Sequence, residues 1–228
     1  MGLSLPPATR ALLGTLTVVV GLVLAGCGTE SSPSPSQAEN TLSLDVDARL
    51  ADTSYTLVSQ DSATVAFPDA FLGTPVIIGT IYTSCPHVCS KITANMKDIR
   101  DTIGDSVDVQ FVSITFDPHR DSPAQLAEYR ASFGLDETDW QFLTGDITTI
   151  GTVMDRLGVR HVLKGTDQEF PSADVDSSYI YTHSNQIVLI DAQGRLRATY
   201  GGSQTPPDLL AQDIRKLKDE STNPASRQ

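Results

Sequence analysis

Residues 74–82 form a continuous apolar run, TPVIIGTIY, and a pair of cysteines follows it almost at once. An apolar run of this length without polar alternation predicts a strand that is buried on both faces of a sheet. The motif CPHVC at 85–89 comes next and leads into a predicted helix that begins close to Cys85 and runs to 103, with Gly104 as its stop. The chain is therefore expected to build a sheet with helices packed against it.

Strand and helix patterns alternate along the rest of the chain. Further strands are predicted at 42–46, 55–59, 107–116, 159–163, 179–190 and 195–200. Three more helices are predicted to start at Ser122, Asp146 and the TPPD motif at 205–208, and to end near 134, 158 and 218. This order predicts an α/β fold, a thioredoxin-like mixed sheet with helices on both faces.

The N-terminal segment is predicted to lie outside this fold. Residues 11–25 are apolar or small, and a stretch of about fifteen residues suits a signal peptide better than a membrane span of about 20. The stretch ends in LAGC at 24–27, which resembles a bacterial lipoprotein signal that is cut before a lipidated Cys27; an uncleaved N-terminal anchor is the alternative. Either form places the folded part outside the cytoplasmic membrane.

The predicted domain organisation follows from composition. Residues 1–26 form the signal peptide, and 27–45, rich in Pro, Ser and Gly, form a flexible tether. Residues 46–220 form one folded domain, and 221–228 a disordered tail. The 28 acidic residues outnumber the 16 basic ones, for a net charge of -12. A chain this acidic repels phosphate backbones, so nucleic acid is excluded as a general partner.

The cysteines carry the sharpest chemical signal. If Cys27 is lipidated, only Cys85 and Cys89 remain, and such a pair can form a structural disulfide, shuttle electrons or bind a metal. A disulfide across so short a loop adds little stability through loop entropy. The position at a helix start favours thiolates, and two thiolates select soft ions such as Cu(I) or Zn(II).

A third metal ligand is not decided by spacing, because the chain has four histidines. His87 lies between the two cysteines and is expected to point away from them into solvent. His119 is expected in a surface turn, and His161 in a strand with a structural role. His183 precedes the apolar run 187–190, and by spacing alone it is no better a candidate than the others.

Three motifs in order resemble the SCO/SenC family of membrane-tethered copper proteins, which serve assembly of cytochrome c oxidase. They are CPHVC at 85–89, DPHRDSP at 117–123, and THS at 182–184 before an apolar strand. The matches run over roughly residues 50–218. Three positions depart from the family pattern: Ser90 replaces a frequent Pro, His87 a common acidic residue, and Thr182 a frequent Asp.

The resemblance implies a copper site made of Cys85, Cys89 and His183 that serves both Cu(I) and Cu(II). The spacing of Cys85 and Cys89 also predicts a reversible disulfide between them. The expected function is delivery of copper to a CuA-type site, with cytochrome c oxidase subunit II or a similar protein as recipient. The expected location is the extracytoplasmic face of the cell membrane, held through the lipid on Cys27.

Other functions remain open at this point. A thiol:disulfide oxidoreductase that keeps recipient cysteines reduced needs Cys85 and Cys89 but has no need of His183. A peroxidase of related fold needs one activated cysteine with a Thr or Arg beside it. A copper-binding module without transfer is indistinguishable from a copper donor by sequence.

Overall fold

The computed structural model describes residues 49–104, 107–172 and 178–222. The predicted signal peptide, Cys27, the tether, the strand at 42–46 and nearly all of the tail lie outside the described residues. Across the described ranges, no helix combines the length and the apolar character needed to cross a bilayer.

A seven-stranded mixed sheet forms the centre of the domain, in the order β2-β1-β5-β4-β3-β8-β9. Strands β3, β4 and β5 run parallel, and the outer pairings are antiparallel. A separate two-stranded sheet pairs β6 with β7. The strands are β1 (Tyr55–Ser59), β2 (Thr64–Phe67), β3 (Val76–Ile81), β4 (Gln110–Thr115), β5 (Gln141–Gly145), β6 (His161–Leu163), β7 (Tyr181–His183), β8 (Gln186–Ile190) and β9 (Leu196–Gly201).

Four α-helices accompany the sheet: α1 (Val88–Ile103), α2 (Pro123–Ser132), α3 (Ile147–Arg156) and α4 (Pro207–Thr222). Every residue of β3 is buried, as the unbroken apolar run predicted, which requires cover on both faces of the sheet. Helix α1 packs on β3, where a Cβ at Gly79 would collide with the sulfur of Met96. The glycine therefore lets α1 lie close to β3.

The predicted helix ends are present. Ser122 accepts a hydrogen bond from the backbone N–H of Gln125 at the start of α2, with Pro123 at the first helical position. Asp146 caps α3 in the same way. Helix α1 stops at Gly104, whose φ of 56° lies in the left-handed region that glycine adopts without strain.

One boundary that matters for function was predicted wrongly. Helix α1 begins at Val88 and not close to Cys85, so only Cys89 is helical. The cause is Pro86, which disfavours helical backbone at the residue before it. Cys85 instead lies in a turn, where its N–H donates to the Tyr82 carbonyl at 3.2 Å. Cys85 and Cys89 therefore do not lie on one face of the same helix.

The strand predictions missed two elements and merged two others. Strands β2 and β5 were not predicted, because segments of four and five residues are too short to show a clear strand pattern. The single strand predicted at 179–190 is two strands, because β7 ends at His183 and β8 begins at Gln186. The Ser184 N–H between them extends the pairing with β6 by donating to the Arg160 carbonyl at 2.8 Å. This break sends β7 to pair with β6 and leaves β8 beside β3.

Candidate metal centre

Three separate elements bring the two cysteines and one histidine together. Cys85 lies in the turn after β3, Cys89 in the first turn of α1, and His183 at the end of β7. Nε2 of His183 lies 3.6 Å from Sγ of Cys89 and 4.0 Å from Sγ of Cys85. Within the described part of the chain, this is the one group of three His, Cys, Asp or Glu residues whose donor atoms converge, all within 4.8 Å of one another.

The spacing of these atoms suits one metal ion. Thiolates bind soft metals at about 2.3 Å and imidazole nitrogens at about 2.0 Å. In a planar three-coordinate site, those bond lengths separate sulfur from nitrogen by about 3.7 Å. The two observed sulfur–nitrogen distances, 3.6 and 4.0 Å, lie on either side of that value. A metal therefore fits between the three atoms with only small side-chain movements.

The imidazole of His183 is oriented by its surroundings. Nδ1 lies 2.8 Å from the Ser184 carbonyl, and because a carbonyl only accepts, Nδ1 carries the proton in this contact. Nε2 is then left with a lone pair that faces the sulfurs, the arrangement that metal-binding histidines commonly have. The rings of Phe116 and Tyr82 pack on the imidazole with centroids at 4.9 and 5.8 Å.

The two thiols are unequal. Cys85 is half-buried and Cys89 fully buried, and they are not joined by a disulfide. A hydrogen bond from the Cys89 thiol lowers the pKa of Cys85, and the Cys89 backbone N–H, which lies 3.4 Å from Sγ of Cys85, lowers it further. Burial raises the pKa of Cys89, and the adjacent Cys85 thiolate adds to that rise. The lowered pKa favours the thiolate at Cys85, and the raised pKa favours the thiol at Cys89.

Comparison with known proteins assigns the family. The SCO1/SenC family model matches residues 45–219, which is most of the chain. The chain belongs to the SCO1/SenC family. The SCO1 protein homolog of Bacillus subtilis is 24% identical over 211 residues, covering 90% of this chain and 96% of the relative.

Solved structures of SCO proteins share the fold of this SCO1/SenC chain. Bradyrhizobium japonicum ScoI, solved with copper bound, is 26% identical with a TM-score of 0.60, covering 72% of this chain and 98% of the other. BsSco, described as a member of the Sco family of cytochrome c oxidase assembly proteins with a disulfide switch, is 23% identical with a TM-score of 0.57, covering 72% and 91%. These neighbours confirm the predicted thioredoxin-like α/β fold and the family resemblance.

The other three histidines of this SCO1/SenC domain stay apart from the sulfurs. His87 and His119 are exposed, as expected for a loop and a turn residue. His161 is 2% exposed, and its ring packs against Phe116 with centroids at 5.3 Å. Burial lowers the pKa of His161, which keeps its ring neutral in the core. The structure thus separates His183 from the alternatives that spacing left equal.

A cleft of about 320 Å³ opens beside Cys85 and His183 of the SCO1/SenC domain. Its walls include Pro86 and Val88 from the cysteine side and Ile180 and Tyr181 from the histidine side. Ile180 is 41% exposed, which is unusual for a large apolar side chain. Cys85 and His183 both reach this cleft, so the site is accessible from one direction.

Two buried carboxylates beneath the site were not singled out from the sequence. Asp117 and Asp121 are both fully buried in the turn after β4. Burial raises the pKa of Asp121, while hydrogen bonds from Thr115 and Thr83 act in the opposite direction. The DPHRDSP motif at 117–123 carried the signal, but as part of a family pattern and without a role for its side chains.

Proposed function

We propose that this chain binds copper at Cys85, Cys89 and His183 and delivers it to a CuA-type site of a respiratory oxidase, with cytochrome c oxidase subunit II or a similar protein as recipient. The convergence of two sulfurs and one imidazole nitrogen in a SCO1/SenC domain is the observation that carries the proposal. Two thiolates match the preference of Cu(I), and the added imidazole makes the site acceptable to Cu(II).

The number of ligands favours a donor over a structural site. Structural zinc sites are usually closed by four protein ligands. Here three donor atoms converge, and Cys85 is half-exposed at the cleft. A ligand from a recipient has room to approach the bound ion from the cleft and to replace the protein sulfurs one at a time. An ion held this way can be passed on without release into solution.

The proposed location is the extracytoplasmic face of the cell membrane, with the chain anchored through lipid on Cys27. The proposal depends on the LAGC motif at 24–27 and on the apolar segment before it. Cys27→Ser is expected to abolish lipidation and to leave the chain unprocessed or release it from the membrane. Mass spectrometry of the mature N-terminus decides the matter, and an unmodified Cys27 in the wild-type chain would contradict the anchor.

The direct test is copper transfer. The reduced full chain, purified in detergent, is titrated anaerobically with Cu(I) and with Cu(II), and is then mixed with an apo CuA domain of oxidase subunit II. We expect stoichiometric binding of both ions and movement of copper to the recipient faster than from an equal amount of a small-molecule copper chelate. Copper that stays on the chain, or a recipient that loads equally fast from the chelate, would contradict delivery.

A second candidate function is thiol:disulfide exchange with the recipient. The pairing of a half-exposed thiolate at Cys85 with a buried thiol at Cys89 favours it. In such a reaction the Cys85 thiolate attacks a disulfide of the recipient, and the Cys89 thiol then displaces the recipient's thiol. The chain is oxidised to a disulfide as the recipient is reduced by two electrons, and a thiol reductant must restore the chain.

His183→Ala separates the two functions. Exchange requires only the sulfurs, so this variant should reduce a model disulfide at the wild-type rate. Cu(II) binding requires the imidazole and should be lost. If His183→Ala impairs disulfide reduction and leaves Cu(II) binding intact, both assignments are wrong.

A further inference from the structure

The turn that joins β4 to α2 reaches both halves of the metal centre. We call residues 117–121 the clamp turn. Its two carboxylates, Asp117 and Asp121, are fully buried, and each accepts hydrogen bonds from a different segment of the chain. One segment leads to Cys85 and the other leads to His183. The ligands themselves lie 94 and 98 positions apart in the chain, so some third element must fix their relative position.

The first segment is held by Asp121. Its carboxylate accepts from the backbone N–H of Thr83 at 3.0 Å and from the Thr83 hydroxyl at 2.6 Å. It also accepts from the hydroxyl of Thr115, in β4, at 2.5 Å. Thr83 lies two residues before Cys85, in the turn that carries this sulfur. Asp121 therefore ties the cysteine turn to the sheet through both polar atoms of Thr83 that can donate.

The second segment is held by Asp117 and Arg120. Asp117 accepts from the Tyr179 hydroxyl at 2.7 Å and from Nε of Arg120 at 2.5 Å. Arg120 in turn donates through Nη1 to the Tyr179 carbonyl at 3.0 Å, and its guanidinium lies 3.7 Å from the centre of the Tyr179 ring. Tyr179 lies two residues before β7, and β7 ends at His183. The side chain and backbone of Tyr179 are thus both fixed by the clamp turn.

We propose that the clamp turn sets the geometry of the metal centre through two separable arms, a sulfur arm in which Asp121 positions Cys85 and a histidine arm in which Asp117 and Arg120 position His183. This inference rests on the proposed copper function. The residues are positioning residues, because their contacts are to segments that carry ligands and not to the ligand atoms. Groups of this kind typically change metal affinity by about 10–100-fold when they are removed.

The two arms predict two different patterns of copper binding. Asp121→Asn removes the charge and replaces one of the two acceptor oxygens by an NH2 group, which cannot accept, so at least one of the three hydrogen bonds from Thr83 and Thr115 is lost or reversed and the cysteine turn is held less firmly. Because both oxidation states use the sulfurs, affinity for Cu(I) and for Cu(II) should each fall by about 10–100-fold. Thr83→Val removes one of the three hydrogen bonds, that from the Thr83 hydroxyl, at nearly constant shape, and should give the same pattern with a smaller decrease.

The histidine arm is tested by Tyr179→Phe, which deletes only the hydroxyl that Asp117 accepts. Cu(II) affinity should fall by about tenfold and the thiolate-to-Cu(II) charge-transfer band should shift, whereas Cu(I) affinity should stay within about twofold of wild type. The matched control is Tyr200→Phe, which removes an equivalent hydroxyl bond to a buried carboxylate, at 2.8 Å from Asp213. It should leave both copper affinities unchanged.

Amide hydrogen exchange of the metal-free full chain gives a readout without copper. Asp121→Asn should speed exchange in residues 83–89 and leave 179–184 near wild type, and Tyr179→Phe should do the reverse. If Asp121→Asn does not fold, Thr83→Val takes its place. Failure of wild type to bind copper would refute the proposed function, and exchange would still decide the clamp. The clamp proposal would be overturned if the variants of both arms kept wild-type exchange rates and copper affinities. It would also be overturned if Tyr200→Phe lost as much copper affinity as Tyr179→Phe.

Discussion

Strand β3 ends at Ile81 beside the cysteine turn, and it begins at Val76 beside a cluster of charged side chains. In that second cluster, Asp191 and Glu220 both pair with Arg197, at 3.1 and 2.8 Å, around a small cavity of about 170 Å³. Asp191 is nearly buried and also accepts from two backbone N–H groups. Both ends of the strand thus bury polar groups, but they satisfy them differently.

The difference lies in what completes each cluster. At the charged end, one guanidinium of the same chain pairs with both carboxylates, so each carboxylate has a partner within the domain. At the ligand end, two sulfurs and an imidazole nitrogen face one another without a cation of the chain between them. One end thus pairs its charges within the domain, and the other is the copper site that we propose. Substitutions at the two ends should therefore affect different measurements.

The largest effect is expected from Cys89→Ala. A single remaining thiolate cannot chelate Cu(I), so affinity should fall by more than the roughly 100-fold that loss of a supporting residue costs. Thermal unfolding should change little by comparison. Ser90→Ala, at the next position and exposed, is the control and should bind copper normally. Competition with a Cu(I) chelator measures both; retained affinity in Cys89→Ala would remove the buried sulfur from the ligand set.

His183→Ala should have a more selective effect. Cu(I) is held by two thiolates in near-linear geometry, so its affinity should fall by less than about tenfold, whereas Cu(II) affinity should fall by about 100-fold or more. Titration of both ions against His87→Ala provides the comparison, because His87 is exposed and lies outside the ligand cluster. Loss of the charge-transfer band in His87→Ala, with the band kept in His183→Ala, would reverse the assignment.

The cysteine pair could be predicted because both residues lie in one short motif next to an unmistakable buried strand. His183 could not be chosen by spacing, since its approach depends on the break at Ser184 that turns β7 toward β6. At that break the Ser184 N–H bonds to the carbonyl of Arg160, a residue that is distant in sequence. The family resemblance named His183, and the fold supplies the physical reason.

The same limit applied to the fold. Buried β3 and the capped helices α2 and α3 were predictable, because their signals lie within a few residues. Strand β5 was not, because its place between β1 and β4 depends on partners far away in the chain. The roles of Asp117 and Asp121 depend likewise on Tyr179 and Thr83, which are distant in sequence. Long-range contacts therefore account for what was missed.

The charged end should respond in stability and not in copper binding. Arg197→Met keeps much of the apolar stem but leaves two carboxylates without their partner. Removing one member of a buried pair costs about 3–5 kcal/mol, and we expect about 2–3 kcal/mol here because backbone N–H groups still serve Asp191. Urea unfolding measures this cost. An equal loss of copper affinity would show that the two ends of β3 are coupled after all.

The smallest change is expected in the pH dependence of alkylation at Cys85. Its pKa is lowered by the hydrogen bond from the Cys89 thiol, so the folded chain keeps a thiolate where an ordinary thiol is protonated. The associated stability is present above the ordinary thiol pKa and is lost only as pH falls through the lowered value. Iodoacetamide should therefore modify Cys85 at rates that vary by less than about threefold between pH 8 and 6. The alkylation rate of an unperturbed thiol with a pKa near 8.5 falls by close to tenfold for each pH unit over the same range. Cys89→Ala removes the hydrogen-bond donor and should restore a steeper dependence of the alkylation rate on pH. If the wild-type chain is as steeply pH-dependent as the unfolded chain, Cys85 does not hold a thiolate in the folded domain.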